Sequence, residues 1–92
     1  MGMNEYEQHF TTNLQAKLKT KIKGKIYCEV NWHDEIYVKI INADNVKYEH
    51  RITHFSERFL NGWSTDYAAY EIVKEYKRFI FEELEKKYFY SS

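Results

Sequence analysis

Phe55-Ser56-Glu57-Arg58-Phe59-Leu60-Asn61-Gly62-Trp63-Ser64-Thr65-Asp66-Tyr67 reads as a short apolar-striped helix that stops on glycine and restarts at once. Phe55, Phe59 and Leu60 share one helical face. Gly62 after Asn61 supplies a left-handed stop, a conformation that glycine adopts without a Cβ penalty. Ser64, Thr65 or Asp66 can cap the next helix, along which Ala69, Val73, Tyr76, Ile80 and Leu84 recur at four- and three-residue steps. The spacing predicts a helix over 66–87, roughly 33 Å long. A strand of five or six residues spans only about 20 Å, so this helix is expected to overhang the sheet it covers. Trp63 is expected to pack at the corner and anchor the helix to the core.

Upstream of this corner the periodicity changes twice. Asn4 followed by Glu7 has the spacing of a capping box, and Tyr6, Phe10, Leu14 and Leu18 follow at helical intervals, which predicts a first helix over 4–19. From Leu18 the period becomes two. Leu18, Thr20, Ile22, Gly24, Ile26, Cys28, Val30 and Trp32 occupy even positions and are expected to point inward, while the lysines and Tyr27 and Glu29 occupy odd ones. His33-Asp34-Glu35 is a polar break, Ile36, Val38 and Ile40 resume the alternation, and Asn42-Ala43-Asp44-Asn45 is a second turn before Val46, Tyr48, His50 and Ile52. Three strands joined by short turns make an antiparallel meander. The expected fold is one α+β domain over 1–92, with the meander packed by helices in the order α-β-β-β-α-α.

Ninety-two residues suffice for a modest core but not for a core plus a deep cleft, which favours a non-enzymatic interaction module. Seventeen aromatic residues, nine of them Tyr, exceed what so small a core hides, so some rings are expected at the surface. The 14 basic and 14 acidic residues cancel. They are unevenly spread: five lysines against two glutamates in residues 1–25, then five acids against two lysines in 26–50. Cys28 is the single cysteine, which excludes a disulfide framework within the chain. With no signal-peptide or membrane-spanning apolar run, the expected compartment is the cytoplasm of a bacterial host.

No catalytic constellation emerges from the residues. His50 and His54, with Cys28 or His33, lack the spacing of a structural zinc site, and Cys28 shares the inward parity of a small hydrophobe. Glu82-Glu83 and Asp34-Glu35 are neighbours in sequence and not a pair facing across a cleft. No metal or cofactor is expected. Two surfaces remain. The Lys17–Lys25 row, narrowed to Lys21, Lys23 and Lys25 with Tyr27 and Tyr37, offers phosphate contacts beside stacking rings. Asp34, Glu35, Asn42, Asp44 and Glu49 gather acids and an amide on the meander, a pattern able to imitate DNA phosphates in a basic protein groove.

Ile36-Tyr37-Val38-Lys39-Ile40-Ile41-Asn42-Ala43-Asp44-Asn45-Val46-Lys47-Tyr48, taken with Phe55-x-x-x-Phe59-x-Asn61-Gly62-Trp63-x-x-x-Tyr67, resembles a small prophage-encoded anti-CRISPR family that inhibits type II-A Cas9. The resemblance covers residues 36–70. It implies an α-β-β-β-α-α fold and, from the family's use of acidic and amide side chains in the PAM-reading groove of guide-loaded Cas9, a contact role for Asn42 and Asp44. Lys47 stands where the family carries an acid, and the net charge is zero where the family is acidic. The expectation is a phage or mobile-element accessory protein that occupies the nucleic-acid groove of a host defence nuclease. A nucleic-acid-binding accessory protein using the lysine row, and a phage interaction protein of other purpose, monomeric or homodimeric, are the alternatives.

Overall fold

Side-chain parity decides the architecture. The computed structural model describes residues 5–90 and runs α1 (Glu5–Lys21), β1 (Gly24–Val30), β2 (Ile36–Asn42), β3 (Lys47–Ile52), α2 (Phe55–Leu60) and α3 (Thr65–Tyr90). It is the expected α+β fold, with strand order β1-β2-β3, antiparallel throughout. Ile26 pairs with Ile40 and Ile40 with Tyr48; Val30 pairs with Ile36 and Ile36 with Ile52. One face of the sheet is therefore apolar, and α1, α2 and α3 close over it. Phe10, Leu14 and Leu18 of α1 and Ala68, Ala69 and Ile72 of α3 are buried there with Ile26, Ile36, Val38, Ile40 and Ile52. The two alanines remove side-chain bulk where α3 packs against α1.

The first helix extends to Lys21, two residues past the expected end, and the alternation assigned to β1 from Leu18 onward begins only at Gly24. A four-residue helical step is also an even step, so helical periodicity and strand parity coincide: Phe10, Leu14, Leu18 and then Ile22 remain one buried row that continues the helix. Asn4, half of the expected capping box, lies outside the described residues. Gly24 makes the switch to strand. Its φ is 145°, and a Cβ there would lie 2.3 Å from the Ile41 carbonyl oxygen.

Both hairpin turns are built by the same device. Asn31 Oδ1 accepts from the backbone N–H of His33 and Glu35, at 2.9 and 3.2 Å. Asn42 Oδ1 accepts from Asp44 and Val46, at 2.9 and 3.0 Å. In each turn the third residue after the asparagine takes a positive φ, 59° at Asp34 and 63° at Asn45, a conformation that Asp and Asn tolerate better than most residues. This geometry ends β1 at Val30. Trp32, expected to point inward, is instead 87% exposed and lies against the His33 ring, 3.6 Å between centroids.

The corner forms as expected: Gly62 has φ 87° and separates α2 from α3. Trp63 stacks on Phe10 at 5.2 Å, and Phe10 also meets Phe55 edge-on at 4.9 Å. Phe55 is buried, but Leu60, expected on the same face, is 83% exposed, because a five-residue step turns it about 140° away from Phe55 around the helix axis. The long helix also overhangs as expected. Tyr76 and Phe79 cover Tyr48 at the start of β3, whereas Leu84, expected in the core stripe, lies past the sheet and is 47% exposed.

Glycine substitutions separate the two backbone constraints. Gly62→Ala should cost about 1 kcal/mol, because a Cβ there has open space and only the positive φ opposes it. Gly24→Ala should cost at least about 2 kcal/mol, because the carbonyl contact forces the β1–β2 ladder apart as well. Equilibrium denaturation of both variants checks the order; a Gly62 variant as unstable as the Gly24 variant contradicts it.

Candidate functional site

The helices leave the other face of the sheet open. Odd positions fill it in three cross-strand rows: Lys25, Ile41 and Lys47; Tyr27, Lys39 and Glu49; Glu29, Tyr37 and Arg51. Four cations thus stand among two carboxylates and two tyrosines on one surface. Lys39 Nζ lies 5.2 Å from the Tyr27 ring centroid, and the Arg51 guanidinium 5.5 Å from that of Tyr37. Each cation sits on the ring directly across the strand pair. The Tyr37 hydroxyl donates to Glu49 Oε2, and Lys47 Nζ approaches the other Glu49 oxygen at 3.5 Å. That hydrogen bond raises the phenol's pKa and, with Lys47, lowers that of the Glu49 carboxyl.

Of the expected lysine-row site, Lys25, Tyr27 and Tyr37 come together here. Lys21 belongs to the last turn of α1 and Lys23 to the connection before β1, so neither is part of an alternating strand row. Lys39, Lys47 and Arg51 complete the face and were missed in the sequence. Their odd parity was visible; which strands they flank depends on the register set by the two turns.

The expected acidic contact face is not one patch. Asp34 and Glu35 lie in the β1–β2 turn, Asn42 and Asp44 at the opposite end of β2, roughly 20 Å away for a seven-residue strand, and Glu49 on the open face. Three of these side chains also hold structure. Asp34 Oδ1 accepts from the Ser56 hydroxyl at 2.7 Å, and its carboxylate from the Ser56 N–H at 3.1 Å, so a residue from the hairpin caps the N-terminus of α2 where His54 supplies no side-chain cap. Glu35 Oε1 accepts from Asn31 Nδ2, and Asn42 Nδ2 donates to the Tyr76 hydroxyl. Asp44 is exposed, with its backbone N–H bound by Asn42.

Among the described residues no three His, Cys, Asp or Glu side chains converge as metal ligands. His50 sits on β3 and His54 in a left-handed residue before α2, which removes the helical spacing that would pair them. Burial pushes the Cys28 thiol up to about 12, so it stays protonated at neutral pH. No helix among the described residues is long and apolar enough to cross a membrane.

A second concave surface lies between α1 and α3. Lys17, Thr20 and Lys21 line one side and Tyr70, Lys74 and Lys77 the other, over Ala69 and Val73, enclosing about 780 Å³. Lys17 Nζ is held by Asp66 at 2.5 Å. Near the corner the indole Nε1 of Trp63 is buried with no hydrogen-bond partner. The chain matches no protein-family model, and comparisons with curated proteins and with solved structures returned no match.

His50 makes stability depend on pH. It lies half-buried at 2.7 Å from the Tyr48 hydroxyl, and desolvation lowers its pKa below the ordinary 6.5, against the opposing pull of Glu75 and Glu71 on α3. The unfolded chain therefore takes up the proton first, and stability present above pH 6.5 is lost as pH falls below it. Thermal unfolding followed from about pH 7 to about pH 5.5 should show a larger drop in Tm for the wild type than for His50→Gln. Equal drops exclude this origin.

Proposed function

We propose that this protein is a non-enzymatic binding module that holds single-stranded nucleic acid across the open face of its sheet. The observation that carries the reading is the pairing on one uncovered surface of two tyrosine rings with Lys25, Lys39, Lys47 and Arg51. Tyr27 and Tyr37 are diagonal neighbours on adjacent strands, about 7–8 Å apart at their Cα atoms. Successive unstacked bases can lie on the two rings while the cations meet the phosphates between them. Lys39 and Arg51 rest on the rings through cation–π contacts worth about 1 kcal/mol at exposed sites, so a base can displace them. A duplex, with its bases stacked inside, presents no such faces.

Binding should fall steeply with salt. For single strands the slope of log affinity against log salt is about −0.7 per phosphate neutralised, so Lys25→Ala, Lys39→Ala and Arg51→Ala should each flatten it by roughly that amount. Tyr27→Ala and Tyr37→Ala should each cost about 1–3 kcal/mol of binding with little effect on the fold, since both rings stand outside the core. Fluorescence anisotropy with single-stranded DNA and RNA oligonucleotides checks this. No measurable binding at low salt would remove the reading.

A second reading is supported by the element order, which agrees with what the anti-CRISPR resemblance implies, and by the exposed Asp44 on the β2–β3 turn. Here the protein occupies the PAM-reading groove of a Cas9-like defence nuclease through Asp44 and the neighbouring Asn42 of the β2–β3 turn. Cleavage by guide-loaded type II-A Cas9 in excess protein tests it, with Asp44→Lys as the informative variant. Asp34→Lys is a poor probe, because it strips the cap from α2. Undiminished cleavage excludes Cas9 as the partner.

A further inference from the structure

The helix α3 carries a second stripe that the core does not use. Tyr70, Lys77, Phe81, Leu84 and Tyr88 are spaced seven, four, three and four residues apart, which keeps them within about 60° of one another around the helix axis. Phe81 and Tyr88 are 62% and 74% exposed. The first half of the stripe forms one wall of the lysine-rimmed groove beside α1, and the second half projects beyond the sheet. Glu85 flanks the projecting half and Lys74 the groove, on the same side of the stripe; Lys21 stands on the α1 rim of the groove.

We propose that the projecting half of α3 docks into the α1–α3 groove of a second copy of this chain, and reciprocally, so that two α3 helices cross antiparallel about a two-fold axis. Placing that axis beside Phe79 and Ile80 sets Tyr70 of one copy near Tyr88 of the other, Lys77 against Phe81, and Lys74 against Glu85. Glu85 on the projection then meets Lys74 on the groove rim, and the apolar stripe meets the groove floor of Ala69 and Val73. Both complementary halves lie on one helix, so a single two-fold rotation satisfies both at once, as a self-complementary contact requires. A nucleic-acid backbone in the same groove would use the lysines but leave Phe81, Leu84 and Tyr88 bare in water. The open sheet face stays outside this contact.

Sedimentation equilibrium across the micromolar range tests the proposal on the full chain. The wild type should be dimeric at the upper end. Leu84→Glu should weaken the dimer at least about tenfold, by losing the burial of one Leu side chain from each copy, with an unchanged far-ultraviolet dichroism spectrum because Leu84 is outside the core. Lys74→Glu and Glu85→Lys should each weaken dimerisation, and the two together should restore it; Tyr27→Ala on the open face should leave it intact. A wild type that stays monomeric at every concentration overturns the proposal, as does a dimer indifferent to Leu84→Glu or a double exchange no tighter than the single ones. Single-stranded oligonucleotide bound by a monomer and lost on Lys74→Glu would assign the groove to nucleic acid instead.

Discussion

A sheet with one apolar face is the constraint on which the rest of this molecule depends. Successive strand residues point to opposite sides, so the even positions of β1, β2 and β3 build one continuous hydrophobic surface and the odd positions build a polar one. Leu14, Leu18, Ile36, Val38, Ile40 and Ile72 have no measurable exposure. At about 1.5–3 kcal/mol for each such side chain, burying them holds α1 and α3 on that side. A one-residue slip of any strand would carry its aliphatic residues to the solvent and its lysines to the core. Register is thus the quantity that the rest of the chain protects.

Two asparagines protect it locally. Asn31 and Asn42 each accept two backbone N–H groups of the turn that follows, and each turn closes through a positive-φ residue that its Asp or Asn side chain tolerates. These turns set the pairing on both sides of β2, and Lys39 comes to face Tyr27 on one side as Tyr37 faces Arg51 on the other. The first turn does a further job. Asp34 lies within reach of Ser56 and caps α2, tying the hairpin to the helical corner. That corner depends in turn on Phe10, which meets Phe55 and Trp63 from α1. Neutralising Asp34 therefore disturbs a helix start 22 residues later in the chain.

The surfaces left over are those with functional promise, and each is exposed for a structural reason. The sheet's second face is bare because all three helices pack on the first. The far half of α3 is bare because a 26-residue helix outruns strands of six and seven residues. Its stripe of Phe81, Leu84 and Tyr88 continues the direction of Tyr70 and Lys77 and is not covered by the core of the same copy among the described residues.

The sequence determined the class of fold, the order of its elements and the corner at Gly62, because hydrophobic periodicity and a glycine stop are local signals that a single chain displays. It also determined the outward parity of Tyr27, Tyr37 and Lys25. It misplaced the start of β1, since helical steps of four and strand steps of two both select even residues, and it sent Trp32 inward because the turn at Asn31 was not recognised. Only the tertiary structure decided that Asp34 and Glu35 are separated from Asn42 and Asp44 by the length of β2, that Asp34 is a helix cap, and that Lys39, Lys47 and Arg51 join the tyrosines. Those facts depend on contacts between residues distant in sequence, fixed jointly by strand register and by which face the helices cover, and no local pattern of residues encodes them.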